Sequence, residues 1–305
     1  MACLVKAIVA GNYGEGYRLA GEIGAETLGV VEKVFPDGEQ YVRISEPEKA
    51  KGSKVVVVST MYPMQDQAFI KLLMLGDALA RSQAAMYLAV IPYLAYSRQD
   101  KVFMPGEPVS ALIVVNTLKA AGFRKLVVVD FHSSSLLSQL NDYIVNVMVS
   151  DLLVKTLMSD AERPVILAPD KGALERARFA ANSIGVDYDY LVKSRDRVTG
   201  EVSYTPRELR VAGRDVIIVD DIVSTGGTIA EASRMLMKQG ARRIHVATSH
   251  GLLVGNALTR MLDAGVRRIA LANTLGVRVD HPLVEYVDVV PRLATVVKEI
   301  LGSEP

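Results

Sequence analysis

The chain has 305 residues, half of them hydrophobic and 23% charged, and its 35 Lys and Arg balance 34 Asp and Glu. That length holds two domains of about 150 residues, while the near-zero net charge excludes a general attraction to nucleic acid or to an anionic membrane. The single cysteine, Cys3, excludes an internal disulfide, no Cys and His cluster has zinc spacing, and no apolar run reaches the roughly eighteen residues of a membrane span.

No long apolar stretch precedes Gly11, so the chain reads as soluble and cytoplasmic, with no nucleic-acid and no membrane partner. The glycines of Gly11-Asn12-Tyr13-Gly14-Glu15-Gly16 do not match Rossmann spacing, and no P-loop follows. Phe35-Pro36-Asp37-Gly38-Glu39 places an aromatic ring and two acceptors on a turn, suited to stacking on a purine or simply to turning the chain. From there β-rich runs alternate with helical segments. Val55 to Val58 precedes a helix over Gln67 to Ser82, and Tyr87 to Ile91 leads into Pro92-Tyr93-Leu94-Ala95-Tyr96-Ser97-Arg98-Gln99-Asp100-Lys101, where Arg98 could bridge phosphates. A helix over Pro108 to Ala121 and a strand over Leu126 to Val129 follow, ending in Asp130 and His132, where the imidazole could ligate a metal, donate to a phosphate or serve structure.

The second half repeats the alternation. Val165 to Leu167 ends near Asp170, read first as the cap of a helix over Gly172 to Ser183 and compatible with a ligand role. The strand-like Tyr188 to Val192 runs into Lys193-Ser194-Arg195-Asp196-Arg197, whose three cations could close over a polyphosphate or line a basic surface. A strand over Val216 to Val219 stops at Asp220 and Asp221. Next come Ser224, Thr225, Gly226 and Gly227, and Thr228 opens a helix with Glu231 three residues on, a capping box. Strands over Ile244 to Ala247, before Ser249 and His250, and Ile269 to Leu271 complete the pattern.

Such alternation implies α/β architecture with parallel sheets, and ligands then lie beyond the carboxyl ends of the strands. The stretch from Asp220 to Thr228 is the most specific feature. Small residues before a helix N-terminus let backbone amides meet a dianionic phosphate. The two carboxylates would repel that phosphate, so they belong a sugar's length away, on vicinal hydroxyls or a divalent metal. The combination is a cradle for ribose 5-phosphate. The run Lys125 to Ser135 looks like a degenerate copy of it, which implies a duplicated domain with a boundary between Asp142 and Val149.

In order, FPDGE, PYLAYSRQD, VVVDFHS, APDKG, VKSRD and VIIVDDIVSTGGT resemble the ribose-phosphate pyrophosphokinases of the archaeal branch across almost the whole chain. The resemblance implies two similar domains of the type I phosphoribosyltransferase kind, each a central, mostly parallel sheet flanked by helices. They would span residues 1–143 and 144–285, with 286–305 packing back on the first. It implies transfer of the β,γ-diphosphoryl group of ATP to the anomeric hydroxyl of ribose 5-phosphate, with Mg2+, in a homo-oligomer whose ATP site is shared between subunits. By motif, Phe35, Asp37, Glu39, Arg98 and Gln99 would bind ATP, and His132 and Asp170 would lie by the metal. Lys193 and Arg195, with His132, would be catalytic. Asp220 and Asp221 would take the ribose, with Ser224, Thr225, Gly226, Gly227 and Thr228 around its phosphate. Ser224 departs from an acidic residue common elsewhere in the family, and Lys171 and Ala173 depart from a more glycine-rich turn. Two rivals share the cradle: a phosphoribosyltransferase that consumes the diphosphate sugar, and a non-catalytic regulatory subunit, which should have lost the Lys193 and Arg195 loop.

Overall fold

The computed structural model describes residues 4–195, 202–204 and 209–303. The chain divides into two compact units, one of Met1–Val147 with Thr274–Gly276 and Val289–Pro305, the other of Met148–Asn273 with Val277–Asp288. Among the described residues no helix is long and apolar enough to cross a membrane.

The first unit runs β1 (Val5–Val9), α1 (Glu15–Glu22), β2 (Glu26–Thr27), β3 (Val30–Val34), β4 (Gln40–Ile44), β5 (Lys54–Val58), α2 (Gln65–Arg81), β6 (Met86–Ile91), α3 (Ser110–Ala120), β7 (Leu126–Val129), α4 (Ser134–Leu140) and β8 (Ile144–Val147). Six strands form a parallel sheet in the order β2-β1-β5-β6-β7-β8, and β3 pairs with β4 as a separate antiparallel hairpin. The central strands, such as Lys54 to Val58, are buried on both faces, which is why they read as unbroken apolar runs.

The second unit runs α5 (Ser150–Thr156), β9 (Val165–Ala168), α6 (Leu174–Ile184), β10 (Asp187–Tyr190), β11 (Lys193–Arg195), β12 (Val202–Tyr204), β13 (Asp215–Val223), α7 (Gly227–Lys238), β14 (Arg243–Gly251), α8 (Ala257–Asp263), β15 (Val266–Ala272) and β16 (Val284–Val287). Its parallel sheet has the order β10-β9-β13-β14-β15-β16, with β11 and β12 as the separate hairpin. Val216, Ile218, Ile244 and Val246 form its core with Ile229, Leu236 and Met261 of the covering helices. The last helix, α9 (Val290–Ser303), belongs to the first unit, where Lys54 Nζ donates to the Leu301 carbonyl at 3.1 Å.

The strand orders are the same permutation, so the two units share one topology, and the register of the match corrects the sequence expectation. β13 occupies the position of β5, and β7 that of β15. The counterpart of the cradle is therefore the loop from Ser59 to Met64, and Lys125 to Ser135 resembles it only because any buried strand followed by small polar residues does. A break after residue 143 would sever β8 from its partner β7; the division follows Val147. The return to the first unit likewise begins at Val289 and not at 286, because β16 pairs with β15.

Candidate functional site

In the second unit, β13 and β14 are both nine residues long and stay paired beyond the apolar run, with Asp220 opposite Thr248 and Ile222 opposite His250. The strand expected to stop at Val219 thus carries both acids inside it and ends at Val223. Asp221 is buried and its Oδ1 lies 3.7 Å from Arg176 Nη1 on α6, while Asp220 Oδ1 accepts the Asp221 amide at 2.9 Å. Burial pushes the Asp220 carboxyl well above the usual carboxylate range, the charge and hydrogen bond of Asp221 add to this, and Asp170 adds a little more against the pull of Arg176. Asp170 itself follows β9 and caps the turn before α6, its Oδ1 accepting from Gly172 N at 2.8 Å and Ala173 N at 3.3 Å. Asp170, just after β9, thus lies near enough to the pair inside β13 to add to its charge, and the buried Arg176 guanidinium faces Asp221.

Beyond Val223 the chain turns through Ser224 and Thr225 into Gly226, which is left-handed at φ 71° and is the N-cap of α7. The helix begins at Gly227 with Gly226 as its N-cap, so Thr228 lies inside the first turn and does not open the helix as the expected capping box requires. A Cβ at Gly226 would come within 2.9 Å of the Ala257 carbonyl and 3.1 Å of Met261 Cγ. Glycine is thus required twice, by conformation and by the approach of α8. The first amides of a twelve-residue helix open into a loop of small side chains, the arrangement that binds anions. Arg260 of α8 adds a cation there, donating to the Thr225 carbonyl at 3.1 Å and to Asn256 Oδ1 at 3.2 Å. Sequence reasoning missed Arg176 and Arg260, since a lone arginine on a helix reads as a solvated face.

In the first unit Phe35, Asp37 and Glu39 share one exposed turn between β3 and β4, where Phe35 N bonds to the Glu39 carbonyl at 2.8 Å and Glu39 N to Asp37 Oδ1 at 3.2 Å. The Phe35 ring is 38% exposed, meets Tyr41 edge-on at 5.9 Å and carries the Lys33 ammonium 4.5 Å from its centroid. Arg98 is exposed in the loop after β6. Gln99 is braced to the start of α3, its carbonyl accepting Ala111 N at 3.2 Å and its side chain the Ser110 hydroxyl. His132 is exposed, two residues beyond the buried Asp130, whose φ is 41°, and Ser133 caps α4 through Leu136 N at 3.3 Å.

Lys193 and Arg195 are described as backbone only, in β11 opposite Tyr204 and Val202; their side chains, and the cation expected at Arg197, lie outside the described residues. Among the described residues no three His, Cys, Asp or Glu gather so as to hold a metal ion.

Residues 13–122 match the N-terminal domain of ribose phosphate pyrophosphokinase, and residues 140–280 match the phosphoribosyl transferase domain. The ribose-phosphate pyrophosphokinase of Methanopyrus kandleri is 44% identical over 248 residues, 80% of this chain and 83% of that protein. That of Sulfurisphaera tokodaii is 42% identical over 236 residues, 77% of this chain and 80% of the relative. The crystal structure of phosphoribosylpyrophosphate synthetase from Mycobacterium smegmatis superposes with a TM-score of 0.88 at 26% identity, covering 99% of this chain and all of that one.

Proposed function

The chain belongs to the ribose-phosphate pyrophosphokinase family, and from that premise we propose that it moves the β,γ-diphosphoryl group of ATP onto the anomeric hydroxyl of ribose 5-phosphate, releasing AMP and 5-phosphoribosyl 1-diphosphate. The observation that carries the reading is the N-terminus of α7, reached through the left-handed Gly226 three residues after β13, the strand that holds the adjacent carboxylates Asp220 and Asp221. Amides of Gly226, Gly227 and Thr228, with Ser224 and Thr225 around them, hold the 5-phosphate. Asp220 and Asp221 accept the ribose hydroxyls and fix the anomeric oxygen. The turn of Phe35, Asp37 and Glu39, with Arg98 and Gln99, holds the nucleotide. The anomeric oxygen attacks the β-phosphorus in line as the bond to the α-phosphate oxygen breaks, and Lys193 and Arg195 offset the charge on the migrating diphosphate.

Magnesium would suit this donor set, because it keeps several waters and needs only one or two carboxylates, and Asp170 would supply one of them. Bound there it would withdraw charge from the phosphoryl oxygens. His132 would lie by the metal and donate to the triphosphate. We place the reaction in the cytoplasm and in a homo-oligomer whose nucleotide turn completes a neighbour's site.

The test is ATP labelled at the β-phosphorus, incubated with ribose 5-phosphate and Mg2+. Label on the sugar with equimolar AMP is the expected result. Label left on nucleotide or on free diphosphate refutes the proposal, and absent AMP with intact sugar-phosphate binding marks a regulatory subunit. Lys193→Ala and Arg195→Ala should each lower kcat by about 10²–10³ with substrate affinities little changed. A rise in KM alone would remove them from the transition state.

A further inference from the structure

The hairpin of β3 and β4 stands outside the sheet of its unit, and most of its residues are exposed. Beneath its turn lies a cavity of 460 Å³ bounded by Gly38, Glu39, Gln40, Gln67, Ile70 and Met74. β4 packs along α2, but this groove leaves the turn at Gly38 and Glu39 without close packing on that side.

Glu32, in the middle of β3, reaches the body of the unit instead. Its Oε1 accepts the Gly11 amide at 2.8 Å and its Oε2 the Lys71 ammonium of α2 at 2.6 Å. The Glu32 and Lys71 side chains are only 22% and 18% exposed, so this charge-assisted pair is screened less than an ordinary surface pair. Gly11 opens the glycine run that fits no dinucleotide loop. It is left-handed at φ 71°, just past the carboxyl end of β1. The backbone of the next residue, the exposed Asn12, passes so close to Gly276 that a Cβ there would come within 2.4 Å of its carbonyl. One carboxylate thus ties the hairpin both to the end of β1 and to a long helix.

We propose that Glu32, clamped by Lys71 and the Gly11 amide, is a positioning residue that aims the β3–β4 turn at the nucleotide. This rests on the reading that the turn binds the base. Loss of the clamp lets the turn swing over its cavity, and the nucleotide then bears the cost of reordering it.

The experiment compares Glu32→Gln, Lys71→Met and the conservative Lys71→Arg, measuring affinity for a non-hydrolysable ATP analogue by calorimetry alongside KM for each substrate, kcat and thermal midpoint. Glu32→Gln and Lys71→Met should weaken analogue binding and raise the KM for ATP about tenfold, with kcat and the KM for ribose 5-phosphate within twofold, and Lys71→Arg should stay near the parent. Unchanged analogue affinity in both variants overturns the inference, as does an equal decline in both substrates' parameters together with the thermal midpoint. Phe35→Ala separates the two layers. If it weakens the analogue while the clamp variants do not, the clamp alone is refuted. If it also leaves the analogue untouched, the nucleotide reading of the turn falls with it.

Discussion

The loop from β13 to α7 and its counterpart from β5 to α2 follow the same strand position and precede helices that both lack a side-chain N-cap, yet one is open and the other is filled. In the first unit the loop runs six residues. Met61 is fully buried in it, Thr60 Oγ1 donates to the Thr274 carbonyl at 2.7 Å, Met61 N bonds to the Tyr93 carbonyl at 3.1 Å, and Tyr62 meets Tyr93 edge-on. In the second unit three small residues, Ser224, Thr225 and Gly226, replace those six, and the last is the left-handed N-cap of α7. One strand topology thus carries a packed corner in the first unit and a short loop of small residues in the second, and side-chain volume in the loop makes the difference.

That contrast can be broken from either side. Met61→Ala should cost about 2–5 kcal/mol of stability in denaturant unfolding, since it empties a buried volume, and should leave ribose 5-phosphate affinity within twofold. Gly226→Ala should weaken sugar-phosphate binding about a hundredfold by calorimetry, because the added Cβ meets both positive φ and the Ala257 carbonyl.

Asp220→Asn sharpens the account of the acids. An acid whose folded pKa is raised contributes stability below its unfolded pKa and loses it as pH rises through the folded value. Above that raised value the ligand-free protein therefore carries the full repulsion of the pair, and there the Asn variant should melt about 3 °C higher while binding ribose 5-phosphate more weakly. The gap in melting temperature should close as pH falls from the raised value toward the ordinary carboxylate range. A gap that widens on acidification would contradict the assigned cause. The smallest effect is expected from Thr60→Val, about 1 kcal/mol for one lost hydrogen bond, with binding unaffected.

Much of this architecture follows from local pattern. Val55 to Val58, Leu126 to Val129 and Val216 to Val219 are apolar because both faces of their sheets are covered, and each falls within a strand. The reach of β13 past Asp220 was hidden, because it depends on β14 extending equally far beside it. Gly226 was visible as a small residue but not as the cap, since the choice between it and Thr228 is made by the packing of α8. The register of the duplication was misread for a related reason: Met61 and Tyr62 occupy the true counterpart, and large residues in a loop give no sign of a cradle that has been filled. Arg176 and Arg260 act through partners distant in sequence, which no spacing rule reaches.

The open-loop claim is tested most directly by calorimetric titration of ribose 5-phosphate into the parent protein, Thr60→Val and Gly226→Ala. One site per chain in the parent, retained in Thr60→Val and lost in Gly226→Ala, is the predicted result. Two equivalent sites per chain, or unchanged binding in Gly226→Ala, would contradict it.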